Sequence, residues 1–219
     1  MTTNTAAATA AMNRLYRHQR HVYNLTRRHY LLGRDRLIGR LNVPENGTVL
    51  EIGCGTGRNL IVAARRYAGA RLFGIDVSTE MLTSAIDSIG RAGLSARVRV
   101  AHADATRTIP ASLFGVNEFD RIFVSYSLSI IPAWREALDV ALSHLKPQGE
   151  LHIVDFGDQE GLPGWFRTAL RHWLALFHVT PRDTLEAELM TQAPRLGFAV
   201  TFKRPYRGYA QYAYLRRIT

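Results

Sequence analysis

Apolar and polar positions divide the chain into an N-terminal helical segment and a longer part in which short strands alternate with helices. Residues 12–41 place apolar and aromatic side chains at helical spacing, with interruptions near Thr26 and Gly33, which predicts two helices. Beyond residue 47 the spacing changes to short apolar runs rich in β-branched residues, which is typical of buried parallel strands. The runs that predict strands are 48–53, 71–76, 96–104, 119–126 and 149–156.

Helical spacing returns between these strands, at 60–68, 78–91 and 133–145. Such segments are long enough for right-handed crossovers, so the strands lie parallel and helices cover both faces of the sheet. The tail, 197–217, predicts two strands separated by the turn 205–208, which is an antiparallel hairpin at the edge. We therefore expect an α/β fold with a mostly parallel seven-stranded sheet and an antiparallel C-terminal strand. N-terminal lid helices over 1–41 precede a domain over 42–219.

Composition narrows this picture to one main domain. The 219 residues are 47% hydrophobic, enough for a single substantial core. The only cysteine, Cys54, excludes internal disulfides and metal clusters built on thiolates, and we expect no metal. No run approaches the roughly 20 apolar residues of a spanning helix, and the first residues lack the features of a signal peptide. These features predict a cytoplasmic protein.

The charge balance points to an anionic partner. Lysine and arginine exceed aspartate and glutamate by 10, and the pI is near 10.3. No recognised nucleic-acid motif accompanies the arginine clusters, so we expect no nucleic acid. An anionic membrane surface is the favoured partner, with peripheral attachment at its inner face, and the alternative is that the charges occupy ordinary solvated helix faces.

The sharpest chemical signal is VLEIGCGTGRNL, residues 49–60, where a predicted strand ends in a glycine turn and a helix begins. Glycines suit this position because the chain turns tightly and a ligand approaches the main chain closely. A dinucleotide-binding turn would carry a further glycine where this chain has Arg58.

The spacing Gly53-x-Gly55-x-Gly57 after Glu51 resembles motif I of the class I S-adenosylmethionine-dependent methyltransferases. This resemblance implies a Rossmann-like fold, with S-adenosylmethionine as cofactor and S-adenosylhomocysteine as its product. It implies that Asp76 binds the ribose hydroxyls and Asp104 the adenine amino group. The residues expected to contact the cofactor are Tyr23, Arg28, Glu51, Gly53, Cys54, Gly55, Gly57, Asp76, Val77, Met81, Asp104, Ala105 and Ser125. Alternatively, the two aspartates only cap the following helices and Glu51 only fixes the turn.

Two further segments, 12–38 and 161–182, resemble the bacterial diacylglycerylhomoserine N-methyltransferases, which make betaine lipids. The first segment carries Tyr-Arg, then Tyr-x-x-Thr-Arg, then Leu-x-Gly-Arg. The resemblance implies successive methylation of the lipid amine to the trimethylated product. It also makes the enzyme that supplies the lipid precursor a candidate partner.

A sulfonium donor and a quaternary ammonium product both favour aromatic faces near the transferred methyl group. Tyr16 and Tyr23 are seven residues apart on one predicted helical face, and Tyr126 follows the fourth strand, so these three are the candidate catalytic residues. Candidate substrate-binding residues are Arg27, Arg34, Trp165, Tyr206 and Tyr209, with the arginines as a fork for the homoserine carboxylate. Core aromatics and surface charges are the competing interpretation, and no residue is identified as the base.

Residues 162–178 form an amphipathic pattern with an apolar stripe and several basic positions. This is typical of a helix lying in a lipid interface, and equally of a helix packed on a sheet. Three functions therefore stay open: a lipid amine N-methyltransferase, a methyltransferase for another amine, quinone or phospholipid head group, and a non-catalytic cofactor-binding module.

Overall fold

The computed structural model describes residues 30–109 and 111–218, and the chain divides into two compact units, Met1–Leu32 and Gly33–Thr219. The smaller unit is described only at 30–32, where Leu32 N donates to Tyr30 O at 3.0 Å. Two helices are predicted over 12–41; residues 12–29 lie outside the described residues, and Arg34–Gly39 are helical. All elements below belong to the larger unit.

The helices of the larger unit are α1 (Arg34–Gly39), α2 (Arg58–Arg66), α3 (Thr79–Arg91), α4 (Ala111–Phe114), α5 (Trp134–Ser143), α6 (Gly164–Ala175) and α7 (Leu185–Arg195). Its strands are β1 (Thr48–Ile52), β2 (Arg71–Asp76), β3 (Val98–His102), β4 (Phe119–Ser125), β5 (Leu145–Phe156), β6 (Phe198–Lys203) and β7 (Ala210–Arg217).

The strands of the described part form one seven-stranded sheet in the order β3-β2-β1-β4-β5-β7-β6. Strands β1 to β5 pair in parallel, whereas β7 is antiparallel to both β5 and β6. The predicted α/β fold and its antiparallel C-terminal strand are confirmed. The chain runs along one edge of the sheet in β6 and then returns, so β7 lies between β5 and β6, and β6 alone forms that edge.

Burial explains the central strands. All five residues of β1 are buried, as expected of a strand covered on both faces. Strand β5 begins four residues earlier than predicted, because Leu145 already pairs with Phe119 of β4 before the register shifts between Phe119 and Arg121. A Cβ at Gly149 would lie 2.9 Å from Phe119 O, so this close approach needs glycine.

Helix α7 was not predicted. Its buried residues Leu185, Leu189 and Ala193 are four apart and pack against β6, and Pro194 falls in its last turn. The main core lies between the sheet and helices α5 and α7. Strand order reverses between β1 and β4, so the connections leaving these two strands run to opposite faces of the sheet. In open α/β sheets, ligands bind in the crevice at such a reversal, outside the carboxyl ends of the strands.

Candidate functional site

A tight turn joins β1 to α2 and contains three glycines with positive φ, namely Gly53 (71°), Gly55 (52°) and Gly57 (75°). The N–H groups of Gly53 and Cys54 both donate to Ile75 O, at 2.9 and 3.0 Å, which ties the turn to β2. A Cβ on Gly55 would meet no heavy atom within 4 Å. The turn therefore presents bare backbone to open space, as a ligand that contacts the main chain requires.

Asp76 occupies the last position of β2 and braces this turn. Its Oδ2 accepts a hydrogen bond from Gly55 N at 2.8 Å, and its Oδ1 accepts from Ser78 N at 2.9 Å. The cap of α3 is Ser78, whose hydroxyl accepts from Met81 N at 3.3 Å. Asp76 is therefore not merely a helix cap, and its two oxygens keep acceptor capacity for a ligand at the strand end.

Glu51 lies within β1, 1% exposed, beneath the glycine turn. Its Oε1 accepts a hydrogen bond from Asn59 Nδ2 at 2.8 Å, while Oε2 has no partner among the described residues. Burial raises the pKa of Glu51 to about 8, the bond from Asn59 opposes this shift, and the charge of Asp76 adds to it. In the ligand-free chain this group is therefore protonated near neutral pH, and a cationic donor of a ligand, such as an ammonium group, would stabilise its ionised form.

The end of β4 completes the edge beside the turn. Ser125 is buried, and its Oγ has no partner within the described ranges. Ser127 Oγ donates to Gly53 O at 3.2 Å. A Cβ on Gly53 would lie only 2.4 Å from Ser127 Oγ. Gly53 is therefore required by packing, whereas Gly55 faces open space.

The predicted adenine residues follow β2 and β3. Asp104 is exposed and accepts hydrogen bonds from Thr106 N at 2.9 Å and Thr106 Oγ1 at 2.7 Å, which lower its pKa. Ala105 is buried in the core, Val77 is exposed and Met81 is half-buried. An exposed carboxylate beside an apolar floor is compatible with a base edge, and the contacts themselves stay predictions.

Cys54 packs inside the turn. A Cβ on Gly74 would lie 2.8 Å from Cys54 Sγ, and burial raises the pKa of the thiol far above its usual range. Because the thiolate is the nucleophilic form, this thiol is a packing group.

The aromatic candidates separate into buried and exposed pairs. Tyr126 and Tyr209 are both buried, and their rings lie 4.7 and 5.9 Å from the ring of Phe156. Trp165 and Tyr206 are exposed on α6 and on the turn between β6 and β7. The structure therefore does not bring the four into one cage, and their predicted roles stay predictions.

Of the basic candidates, only Arg34 is described. Burial raises the pKa of both Glu51 and Tyr126, and the charge of Arg34 opposes that rise in each, so Arg34 acts electrostatically on both groups. The remaining predicted residues Tyr16, Tyr23, Arg27 and Arg28 lie outside the described residues.

Three residues of the site were not predicted. Asn59 holds Glu51, Ser127 fills the space behind Gly53, and Asp155 ends β5 fully buried. Asp155 Oδ2 accepts from Ser129 N at 3.1 Å, and burial raises its pKa to about 6. An acidic residue at the end of the predicted fifth strand was an available signal for Asp155. Nothing local in the sequence pairs Asn59 with Glu51.

Comparison with known proteins agrees with this geometry. Residues 49–149 match the methyltransferase domain family. Trans-aconitate 2-methyltransferase of Azoarcus sp. (strain BH72) is 31% identical over 117 residues, covering 53% of this chain and 42% of the relative. Demethylmenaquinone methyltransferase of Listeria welshimeri is 28% identical over 141 residues, covering 63% and 57%. The chain thus spans about half the length of these curated relatives.

Solved structures share the fold. A SAM dependent methyltransferase from Aquifex aeolicus aligns with a TM-score of 0.65 at 21% identity, covering 88% of this chain and 93% of the other. Geranyl diphosphate methyltransferase in complex with SAM aligns with a TM-score of 0.65 at 15% identity, covering 86% and 85%. The fold is the Rossmann-like class I methyltransferase fold. Fold, turn and family match together support a methyltransferase domain whose cofactor is S-adenosylmethionine.

The residues present fit that cofactor. The open space at Gly55 admits a ligand against the main chain, and the unpartnered oxygen of Glu51 suits an ammonium group. Asp76 lies where two hydroxyl groups of a sugar would meet a bidentate acceptor.

Proposed function

We propose that this chain is an S-adenosylmethionine-dependent N-methyltransferase that successively methylates the amine of diacylglycerylhomoserine to the trimethylated betaine lipid. When bound, S-adenosylmethionine supplies an electrophilic methyl group. The glycine turn, Asp76 and Glu51 would hold this donor, and transfer of its methyl group to a neutral amine would depend on alignment and exclusion of water. The proposal rests on the site above and on the sequence resemblance at 12–38 and 161–182.

The observation that best supports a lipid as the methyl acceptor is the exposed apolar side of α6. Trp165 and Leu176 are each 75% exposed, and Phe166 is 36% exposed. Trp165 and Leu176 are about three turns apart and so project from the same side of the helix. In water such a surface is unfavourable, whereas an acyl-chain boundary would bury it.

The opposite side of α6 is fixed to the body of the unit. Leu174 is buried, and Arg171 donates to Asp183 Oδ2 at 2.9 Å and to Gln159 Oε1 at 3.0 Å. The start of α6 also lies beside the β6–β7 turn, since Gly161 N donates to Arg207 O at 3.2 Å. The exposed aromatic side is therefore held in place rather than free to turn inward.

This surface supports peripheral attachment to an anionic membrane, and it lies on the helix that follows the carboxyl end of β5. No helix in the described ranges is both long and apolar enough to cross a bilayer. The attachment we propose is by insertion of aromatic side chains at the surface, at the inner face of the cytoplasmic membrane.

A lipid-soluble quinone is the second candidate acceptor. The Listeria relatives are demethylmenaquinone methyltransferases, and an apolar surface on α6 suits a quinone with an isoprenoid tail as well as it suits a diacyl lipid. Only the chemistry of the methylated atom separates the two.

The test is turnover by the purified chain with labelled S-adenosylmethionine. One reaction contains detergent-dispersed diacylglycerylhomoserine, a second a demethylated quinone, and a third water-soluble amines. Mass spectrometry of the organic phase should find the lipid with one, two and three added methyl groups. Label in the quinone or the soluble amines alone would reject the lipid substrate, and cofactor binding without any transfer would indicate a non-catalytic module.

A further inference from the structure

A second concave surface lies between α1 and the face of strands β5, β7 and β6. It has a volume of about 470 Å³, and the described residues that line it all belong to the larger unit. We call it the α1 groove. Nothing in the proposed methyl transfer uses it.

The register of the strands builds the floor of the α1 groove. Thr201 pairs with Tyr214, and Tyr214 pairs with His152, so these three side chains form a row across three strands. Lys203 and Tyr212 pair in the next row on the same face, because residues two apart in a strand point the same way. These two rows place polar side chains and one cation on this face of the sheet.

Three cations meet at this groove. Arg36 and Arg40 lie four residues apart at one side of α1, and Lys203 reaches it from β6. Burial raises the pKa of Tyr212 to about 12, and the charges of Arg36 and Arg40 oppose that shift, which places both near its hydroxyl. None of the three cations has an ion pair within residues 30–109 and 111–218.

The lack of acidic partners distinguishes the α1 groove from other basic positions. No aspartate or glutamate lines it. Two acids beside it are already bound, since Asp35 pairs with Arg58, and Glu150 accepts from Tyr214 of the groove at 2.8 Å and pairs with Arg121 at 3.1 Å. Three uncompensated like charges around one concavity repel one another, and an anionic ligand would relieve that repulsion.

We propose that the α1 groove is a binding site for a phosphate-bearing anion, held by Arg36, Arg40 and Lys203. The Thr201 hydroxyl adds a neutral donor, and the half-buried Pro205 and the ring of Tyr214 give apolar surface beside the charges. That combination fits a phosphate attached to an apolar body. The phosphate comes either from a lipid head group or from a soluble phosphate compound.

The test uses the full chain at fixed ionic strength. Inorganic pyrophosphate is titrated by calorimetry, and binding to vesicles of phosphatidylglycerol is compared with binding to phosphatidylcholine. The groove variant is Arg36→Gln/Arg40→Gln/Lys203→Gln. The control variant, Arg65→Gln/Arg91→Gln/Arg195→Gln, removes the same charge from exposed helix positions. Lys203→Gln alone is included because it leaves α1 untouched.

We expect pyrophosphate binding that the groove variant weakens at least tenfold, that Lys203→Gln weakens several-fold and that the control variant leaves within twofold. If the groove variant also loses the preference for phosphatidylglycerol vesicles, the ligand is a lipid head group. If the groove variant keeps that preference, the ligand is a soluble phosphate compound. If the groove and control variants lost pyrophosphate affinity equally, the binding would depend only on net charge, and the proposal would be overturned. The absence of both pyrophosphate binding and a preference for phosphatidylglycerol would also overturn it.

Discussion

Glu51 and Asn59 form a buried carboxylate–amide pair across the glycine turn, with Asn59 Nδ2 2.8 Å from Glu51 Oε1. The pair joins β1 to the first turn of α2 and so fixes both ends of the loop. Because it supplies one donor to a carboxyl group with two oxygens, the ionised form is poorly solvated. The proton that this group keeps near neutral pH is therefore a property of the folded chain.

The first prediction concerns stability against pH. The folded pKa of Glu51 is about 8 and its ordinary value is 4.5, so the folded chain holds a proton that the unfolded chain has lost. The stabilisation is complete below pH 4.5, declines as pH rises and is gone above pH 8. The slope is at most about 1.4 kcal/mol per pH unit. Glu51→Gln should flatten it.

Urea unfolding of the ligand-free protein between pH 6.5 and 8 checks this. Asp155 titrates near pH 6, below this interval, and burial lowers the pKa of His152 below 6.5, so neither obscures it. The exposed Glu45→Gln is the control and should keep the slope of the wild type. Parallel slopes for Glu51→Gln and the wild type would contradict the assignment.

The second prediction separates two glycines of the turn. Gly53→Ala and Gly55→Ala each place alanine at positive φ, which should destabilise the folded chain by about 1–2 kcal/mol. Only Gly53→Ala also forces a Cβ against Ser127, adding about 1–3 kcal/mol. Gly55→Ala should therefore destabilise less, yet weaken S-adenosylmethionine binding at least tenfold, because its new methyl group enters the ligand space.

Unfolding free energies and calorimetric affinities measure the two effects separately. Gly90→Ala in α3 is the control, since a Cβ there meets nothing within 4 Å and its φ is negative. It should stabilise by about 0.5–1 kcal/mol and leave the affinity unchanged. Normal affinity in a folded Gly55→Ala variant would show that the cofactor does not contact this part of the turn.

The third prediction tests the adenine assignment. Asp104→Ala should weaken S-adenosylmethionine binding by about 1–3 kcal/mol through loss of a hydrogen bond to the base. Its effect on stability should be small, because Asp104 is exposed and bonds only within its own turn. Asp87→Ala, an exposed change on α3, is the matched control for lost negative charge. Equal affinities of the two variants by calorimetry would place Asp104 outside the adenine site.

Local pattern predicted the strands and the glycine turn because both are encoded within a few residues. The buried run at β1 and the three glycines after it need no distant partner to be recognised. The insertion of β7 between β5 and β6 is different, because pairing order depends on contacts far apart in the chain. The pairing of Glu51 with Asn59 is equally invisible to periodicity.

Helix α6 illustrates a second limit. Its apolar side chains are expected to be buried, but periodicity does not show which of them pack against the rest of the protein. The structure divides the stripe, with Leu174 buried and Trp165 exposed. Helical periodicity locates the apolar stripe but does not show which residues pack against it. Those residues belong to other parts of the chain, as do Gln159 and Asp183, which accept hydrogen bonds from Arg171.

The last prediction follows from that division. Trp165→Ala/Leu176→Ala should reduce binding to phosphatidylglycerol vesicles several-fold, because both side chains are 75% exposed and would leave the apolar boundary. The free energy of unfolding should change by less than about 0.5 kcal/mol per substitution, as at other surface positions. Met190→Ala on α7 removes an exposed apolar group elsewhere and should leave vesicle binding unchanged. Flotation with vesicles measures the membrane binding, and urea unfolding of the same preparations measures the stability. If the double variant lost stability and kept its membrane binding, α6 would be a packing element and the lipid surface would lie elsewhere.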